Sequence, residues 1–193
     1  NATTVDFSRD AAAGLKFLRD MKAFSKVGLI GHRAGGTIAF ILGAKGMTDF
    51  IVSMAGPGVK GDTLLVAQQN HAAELMGITT KTTTEQLRKN EQLLKTPWYR
   101  WFIDYDPSSD IKSTRCPVFV INGDRDCQVI SKQNLTAIEQ LLPQTKKNRV
   151  KEYPELNHLF QHCSTGNTNE YRQIEETISP EVLSDMAEWI NGL

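Results

Sequence analysis

Apolar residues recur along the chain in two patterns, short strand-like runs and wider helical spacings. The runs predict three strands, at residues 27–30, 50–54 and 116–121, and a fourth strand is predicted at residues 149–153. The spacings of three and four predict helices at residues 6–23, 37–44, 64–76, 84–94, 131–142 and 180–190. Strands with continuous rather than alternating apolar character, joined through helices, are typical of a parallel sheet covered on both faces. The pattern therefore predicts an α/β fold, with about four parallel strands flanked by helices.

The junction between the first strand and the next helix is unusually short. It contains Gly31, Arg33 and Gly35 in the order Gly-His-Arg-Ala-Gly, so the strand passes into the helix with almost no loop. In the turn known as a nucleophile elbow, small residues flank a strained central position, which raises one side chain above a parallel sheet. That central position normally holds serine, but here it is Arg33.

Composition excludes several classes of function. The chain of 193 residues predicts a single domain, residues 1–193, and its 22 basic and 22 acidic residues give no electrostatic footprint for nucleic acid. No apolar run approaches the roughly 20 residues that a membrane helix needs, so no membrane partner is expected. Three scattered cysteines are typical of neither a zinc knuckle nor a disulfide framework, although the sequence allows a single disulfide bridge. The compartment cannot be read from a chain that begins with Asn1.

The elbow resembles that of the α/β-hydrolase superfamily, in particular bacterial ester hydrolases whose elbow reads Gly-His-Ser-Glu-Gly-Gly. Two positions depart from that pattern: Arg33 replaces the serine and Ala34 replaces the glutamate. The resemblance extends over residues 6–193 but reaches only the second half of the family's domain. It implies serine carboxylic-ester hydrolysis without a cofactor, and a parent protein that is exported from bacteria.

The resemblance also implies an acid and a base, each on a loop that follows a strand. Asp126, in Gly-Asp-Arg-Asp-Cys-Gln-Val, resembles the acid, and His158, in Leu-Asn-His-Leu-Phe-Gln, resembles the base. Asp124 is a rival acid, although the first aspartate of such a loop commonly serves its turn. His158 and His162 are four residues apart and could share a helix face as metal ligands, but no third ligand lies near in sequence, so no metal is expected.

Arg33 implies that the site is disabled. A guanidinium has no lone pair with which to attack a carbonyl, and a cation at a helix N-terminus is disfavoured unless Asp126 or a bound anion compensates for it. The Ala34 N–H is then the remaining oxyanion donor, because the family's other donor comes from an upstream loop. We therefore expect little or no ester hydrolysis. The alternative is a non-catalytic protein that binds a small carboxylate or phosphate at Arg33, and a fragment with no function of its own is a third possibility.

Two further expectations concern the surroundings of the site. The polar helical stretch at about residues 62–110 corresponds to the family's lid, although its aromatic cluster is equally typical of helix contacts; the cluster comprises Trp98, Tyr99, Trp101, Phe102 and Tyr105. In the family the elbow strand lies in the middle of the sheet, so here it would present an unpaired apolar edge. Such edges invite pairing with other chains, and we expect this chain to associate with itself or with an upstream half of the domain.

Overall fold

The computed structural model describes residues 2–193, whose centre is one parallel sheet of four strands. The strands are β1 (Leu29–His32), β2 (Ile51–Met54), β3 (Val118–Gly123) and β4 (Arg149–Tyr153), and they lie side by side in chain order. Gly31 pairs with Ser53, and Ser53 pairs in turn with Val120. Because every pair is parallel, the carboxyl ends of all four strands lie at one edge of the sheet. The predicted α/β fold is confirmed.

Within residues 2–193, eight α-helices connect or flank these strands. They are α1 (Thr4–Asp20), α2 (Ala34–Ala44), α3 (Gly61–Leu75), α4 (Thr84–Arg88), α5 (Pro97–Asp104), α6 (Ser108–Ser113), α7 (Ser131–Leu141) and α8 (Pro180–Asn191). Two short 3₁₀ helices, Leu93–Lys95 and Thr168–Gln173, complete the chain. No helix in the described part of the chain combines the length and the apolar character that a membrane crossing requires.

Apolar side chains alternate between the two faces of the sheet, and helices cover both. On one face Ile51 and Val118 pack with α2 and α7 through a buried cluster that includes Phe40 and Ile138. On the other face a second cluster packs with α8; its members include Val52, Phe119, Ile121, Val182 and Met186. Burial on both faces accounts for the continuous apolar character of the strands.

Several predicted boundaries were wrong, and the first strand is the most instructive. β1 begins at Leu29 rather than Val27, because Val27 instead packs with Leu15 and Leu42. The strand then continues through His32, and α2 begins at Ala34 rather than at residue 37. The junction is therefore tighter than predicted, with a single residue between strand and helix.

One other predicted helix is shorter than expected. The helix predicted at residues 84–94 ends at Arg88, and the chain becomes helical again only in the 3₁₀ helix Leu93–Lys95. The helix predicted from residue 131 begins there, and the Ser131 hydroxyl donates to the Glu152 carboxylate on β4.

The helical segment between β2 and β3 has a core of its own. The side chains of Leu64, Leu87 and Phe102 pack there, and the predicted aromatic cluster lies on and beside α5. Asp62 is buried and accepts two hydrogen bonds from the Arg88 guanidinium, at 2.9 and 2.6 Å. This buried contact ties α3 to α4. Whether the segment acts as a lid over the site stays a prediction.

The outer edge of β1 has no strand partner among residues 2–193. Ile30 on that strand is 54% exposed, and several large apolar side chains of α1 and the following turn are also exposed, namely Phe7, Phe17, Met21 and Phe24. The uncovered edge is thus a feature of the structure. Its association with another chain stays a prediction.

Candidate active site

The elbow has the strained backbone that its function in hydrolases requires. Arg33, between β1 and α2, has φ 51° and ψ −114°, a conformation that L residues rarely adopt. Its N–H donates to the Met54 carbonyl at 2.9 Å, and its carbonyl accepts from the Gly36 N–H at 2.9 Å. The surrounding strand and helix therefore hold position 33 in place whatever its side chain.

Close contact between strand and helix requires two of the local glycines, although not the predicted pair. A Cβ on Gly31 would lie 2.1 Å from the Gly35 carbonyl oxygen, and one on Gly36 would lie 2.9 Å from the Gly56 Cα. A Cβ on Gly35 would meet nothing within 4 Å. The packing of the elbow therefore does not require glycine at position 35.

Asp126 and His158 form a buried pair beside the carboxyl ends of β3 and β4. The His158 Nδ1 lies 2.7 Å from Asp126 Oδ2, and the two side chains are 3% and 0% exposed. Asp126 Oδ1 also accepts from the backbone N–H groups of Gln128 and Val129, at 2.7 and 2.9 Å. Asp124, the rival acid, is exposed. The structure thus places Asp126, and not Asp124, against the histidine.

The arrangement determines what the imidazole of His158 can do. A carboxylate can only accept, so Nδ1 carries the proton and Nε2 keeps a lone pair. The Nε2 atom is buried and has no hydrogen-bond partner among residues 2–193. Buried polar atoms without partners are rare in folded proteins and often mark function. A general base requires this state, with the tautomer fixed by an acid and the second nitrogen free.

His32, which sequence reasoning missed, supports this histidine from the elbow. Its Nε2 donates to the His158 carbonyl at 2.9 Å, and the two ring centroids are 4.5 Å apart. Although the His32 side chain is exposed, desolvation of its ring against His158, followed by repulsion from His158 when that ring is protonated, lowers the pKa of His32 below its ordinary value of 6.5. His32 is therefore neutral at pH 7 and joins the elbow to the loop of the base.

The Arg33 guanidinium binds two amide side chains rather than an acid. Nη1 donates to Gln128 Oε1 at 2.6 Å, and Nη2 donates to Gln68 Oε1 at 3.5 Å. Within residues 2–193 no carboxylate oxygen lies within 4.0 Å of it. Of the two compensating groups considered, Asp126 makes no direct ion pair with Arg33, because its oxygens contact His158 and the backbone of its own loop.

Both amide partners also escaped the sequence analysis. Gln128 lies two residues after Asp126 and donates through Nε2 to the Tyr171 hydroxyl at 3.0 Å, which fixes the amide with its oxygen toward Arg33. Position on the acid loop was the available signal for Gln128. No sequence signal pointed to Gln68, because only tertiary packing brings this α3 residue to the Arg33 side chain.

Ala34 is the first residue of α2, directly after Arg33. N–H groups in the first turn of a helix have no acceptor within that helix. The Ala34 N–H is therefore free to donate to a ligand at position 33, as the elbow pattern predicted. Its part in stabilising an oxyanion stays a prediction.

Two cavities open near the site. One, which we call the amide cavity, has a volume of about 360 Å³ and is lined by Gln68, Ala72, Leu75 and Met76, by Cys127 and Gln128, and by residues 167–169. The other, of about 490 Å³, is lined by His32, Met54 and Phe160, and by residues 174–178. The amide cavity contains both partners of Arg33, whereas the larger one lies beside the β1–β2 end of the sheet next to the uncovered edge.

The second histidine of the pair considered as metal ligands, His162, contacts a different partner. His162 Nδ1 contacts Glu176 Oε2 at 2.9 Å, and neither His158 nor His162 lies on a helix. The idea of a shared helix face is therefore wrong. In the described part of the chain, no three metal-ligating side chains of histidine, cysteine or acidic type come together, and the three cysteines are free thiols.

Comparison with known proteins agrees with this architecture. A model of the prolyl oligopeptidase family matches residues 3–178. Esterase EstD of Thermotoga maritima is 24% identical in an alignment that covers 94% of this chain and 46% of EstD. The chain thus spans about half the length of this curated relative.

Solved structures show the same fold. An esterase of Pyrococcus furiosus matches with a TM-score of 0.53 and 17% identity, over 94% of this chain and 60% of its own. A mutant meta-cleavage product hydrolase of Pseudomonas fluorescens, complexed with acetates, matches with a TM-score of 0.58 and 15% identity, over 100% of this chain and 73% of its own. At these identities the likeness concerns the fold alone.

Proposed function

Because the chain belongs to the prolyl oligopeptidase family of α/β-hydrolases, we propose that its site is an ester-hydrolase site in which Arg33 replaces the nucleophile side chain. The buried contact of 2.7 Å between Asp126 and His158 carries this proposal, since it leaves Nε2 free and unpartnered. The strained backbone at position 33 supports it. The choice of an ester as the substrate rests on the likeness to esterase EstD.

The proposed roles follow from the geometry. A serine hydroxyl at position 33 would lose its proton to His158 Nε2 as it attacks the ester carbonyl, while Asp126 stabilises the resulting imidazolium. The Ala34 N–H would donate to the oxyanion. His158 would then return the proton to the leaving alcohol, and water would release the acid. Arg33 cannot begin this sequence, because its guanidinium stays protonated and has no lone pair.

The segment of α3–α5 is proposed as the cover of this site. Gln68 on α3 reaches the side chain at position 33, and the amide cavity lies between α3 and the acid loop. A helix placed there excludes water from the reacting groups and shapes the space for the acyl group.

The test is hydrolysis of p-nitrophenyl acetate by the chain and by its Arg33→Ser variant. Loss of a triad nucleophile costs on the order of a millionfold. Because the two proteins share the same oxyanion hole, the serine variant should hydrolyse the ester at least about a thousandfold faster than the parent, which has no nucleophile. Addition of His158→Ala to the serine variant should remove the gain. Rapid hydrolysis by the parent that survives His158→Ala would contradict the assignment.

A second candidate function is the binding of a small anion at Arg33. The observation that favours it is the half-buried guanidinium, whose partners in the described chain are neutral amides. Partly buried cations are normally paired with an acid. We expect acetate to raise the melting temperature relative to chloride at the same ionic strength, and Arg33→Gln to remove that increase. Equal melting temperatures in both salts would contradict anion binding.

A further inference from the structure

We infer that the amide cavity binds a short monocarboxylate, whose carboxylate pairs with Arg33 and whose chain lies along α3. The inference rests on the anion site proposed at Arg33 and specifies the ligand for that site. It concerns binding by the chain with Arg33 in place, and so does not depend on whether Arg33→Ser hydrolyses esters.

The two contacts of Arg33 are unequal, which indicates where the carboxylate enters. The bond to Gln128 is short at 2.6 Å, and Gln128 is held in turn by Tyr171. The contact with Gln68 is 3.5 Å, at the outer limit for a hydrogen bond. A carboxylate oxygen would therefore replace the Gln68 oxygen at Nη2 at little cost. Charge-assisted bonds of this kind are about twice as strong as neutral ones.

The lining of the amide cavity determines the rest of the ligand. Every residue that lines it is uncharged, and its volume of about 360 Å³ is at the small end for ligand pockets. Ala72, Leu75 and Met76 give it an apolar wall along α3, whereas Asn167 and Thr168 form a polar rim. Arg33 does not line the cavity itself, but its guanidinium contacts two of the lining side chains, Gln68 and Gln128. Neutral walls with one cation behind the two amides suit a single negative charge with a short apolar chain. Phosphate carries up to two charges and has no apolar chain, so it would make no contact with the apolar wall.

The experiment is isothermal titration calorimetry of the intact chain with acetate, butanoate and pentanoate, with butanamide and inorganic phosphate as comparisons. Burial of each methylene should increase affinity about three- to fourfold until the cavity is filled. Butanamide, which lacks the charge, should bind at least about tenfold more weakly than butanoate. Arg33→Gln should weaken butanoate by a similar factor.

Two neighbouring alanines of α3 supply a matched pair of variants. Ala72 lines the amide cavity and Ala73 does not. Ala72→Leu should fill part of the cavity and weaken pentanoate about tenfold while acetate is unaffected, whereas Ala73→Leu should change neither. Cooperative thermal unfolding of both variants shows that each is folded.

The outcomes separate this inference from the anion site on which it rests. Binding of acetate and phosphate with no gain along the carboxylate series, or without an effect of Ala72→Leu, would overturn the ligand class and leave an anion site at Arg33. Equal binding of butanamide and butanoate would overturn the role of Arg33. Absence of binding by any of these anions would overturn both proposals.

Discussion

The elbow and the acid–base loops belong to one candidate site, but they match the hydrolase pattern in different ways. At the elbow the backbone retains its strained conformation, with φ 51° at Arg33, although the side chain is chemically wrong for attack. At the loops, Asp126 and His158 retain both backbone position and side-chain contact. The comparison shows that the strained backbone at position 33 is held by main-chain contacts, whereas Asp126 and His158 are held by their side chains.

Local structure explains the difference. Asp126 accepts three hydrogen bonds, two of them from the backbone of its own loop, so its carboxylate holds the fold as well as the imidazole. The side chain at position 33 has no comparable structural task, because its backbone is fixed by the Met54 carbonyl and the Gly36 N–H. Replacing Asp126 should therefore affect stability, whereas replacing the side chain at position 33 should leave the fold unchanged.

The largest effect on stability is expected from removal of the acid. Asp126→Ala should lower the free energy of unfolding by about 3 to 5 kcal/mol, because three buried donors lose their acceptor. Asp126→Asn keeps one oxygen for the backbone donors and should cost about 1 to 2 kcal/mol. Urea unfolding of the three proteins measures both values. Equal stability of Asp126→Ala and the parent would show that the acid loop does not depend on its carboxylate.

At the elbow, the two glycines of the original motif should behave in opposite ways. Gly31→Ala places a Cβ 2.1 Å from the Gly35 carbonyl oxygen and should cost about 2 to 3 kcal/mol. Gly35→Ala meets nothing within 4 Å and lies inside α2, so it should stabilise the protein by about 0.5 to 1 kcal/mol. Urea unfolding again supplies the comparison. Destabilisation by Gly35→Ala as large as that by Gly31→Ala would refute the packing described for the elbow.

The smallest effect concerns His32, which joins the two regions. Its pKa lies below 6.5 in the folded protein, so between that pKa and 6.5 the unfolded chain binds more protons. The contribution of His32 to the free energy of unfolding should therefore be fully present above pH 6.5. It should decrease as the pH falls from 6.5 toward the lower pKa of the folded protein. His32→Gln should flatten this part of the profile, measured as the free energy of unfolding at pH 5.5 and 7.5. The same slope in both proteins would contradict this role for His32.

How far the sequence predicted the molecule depended on whether the determinants were local. The apolar runs predicted three of the four strands and the parallel sheet, and the motifs singled out Asp126 and His158, which the structure brings into contact. Each of these signals lies in a few consecutive residues. The start of β1 was misplaced, since pairing of Leu29 with Ile51 rather than local apolarity decides where the strand begins. The environment of Arg33 was also missed. Gln68 reaches it across 35 positions of sequence, and no local pattern records such packing.

The central claim is that position 33 lies where the nucleophile of a working acid–base pair would be. The most direct test is covalent labelling of Arg33→Ser with a fluorophosphonate, followed by mass spectrometry of the modified peptide, beside Arg33→Ser/His158→Ala. We predict one adduct, on the serine at position 33, that the His158→Ala change suppresses by about a hundredfold or more. A folded Arg33→Ser variant that is not labelled, or is labelled equally well without His158, would contradict the account.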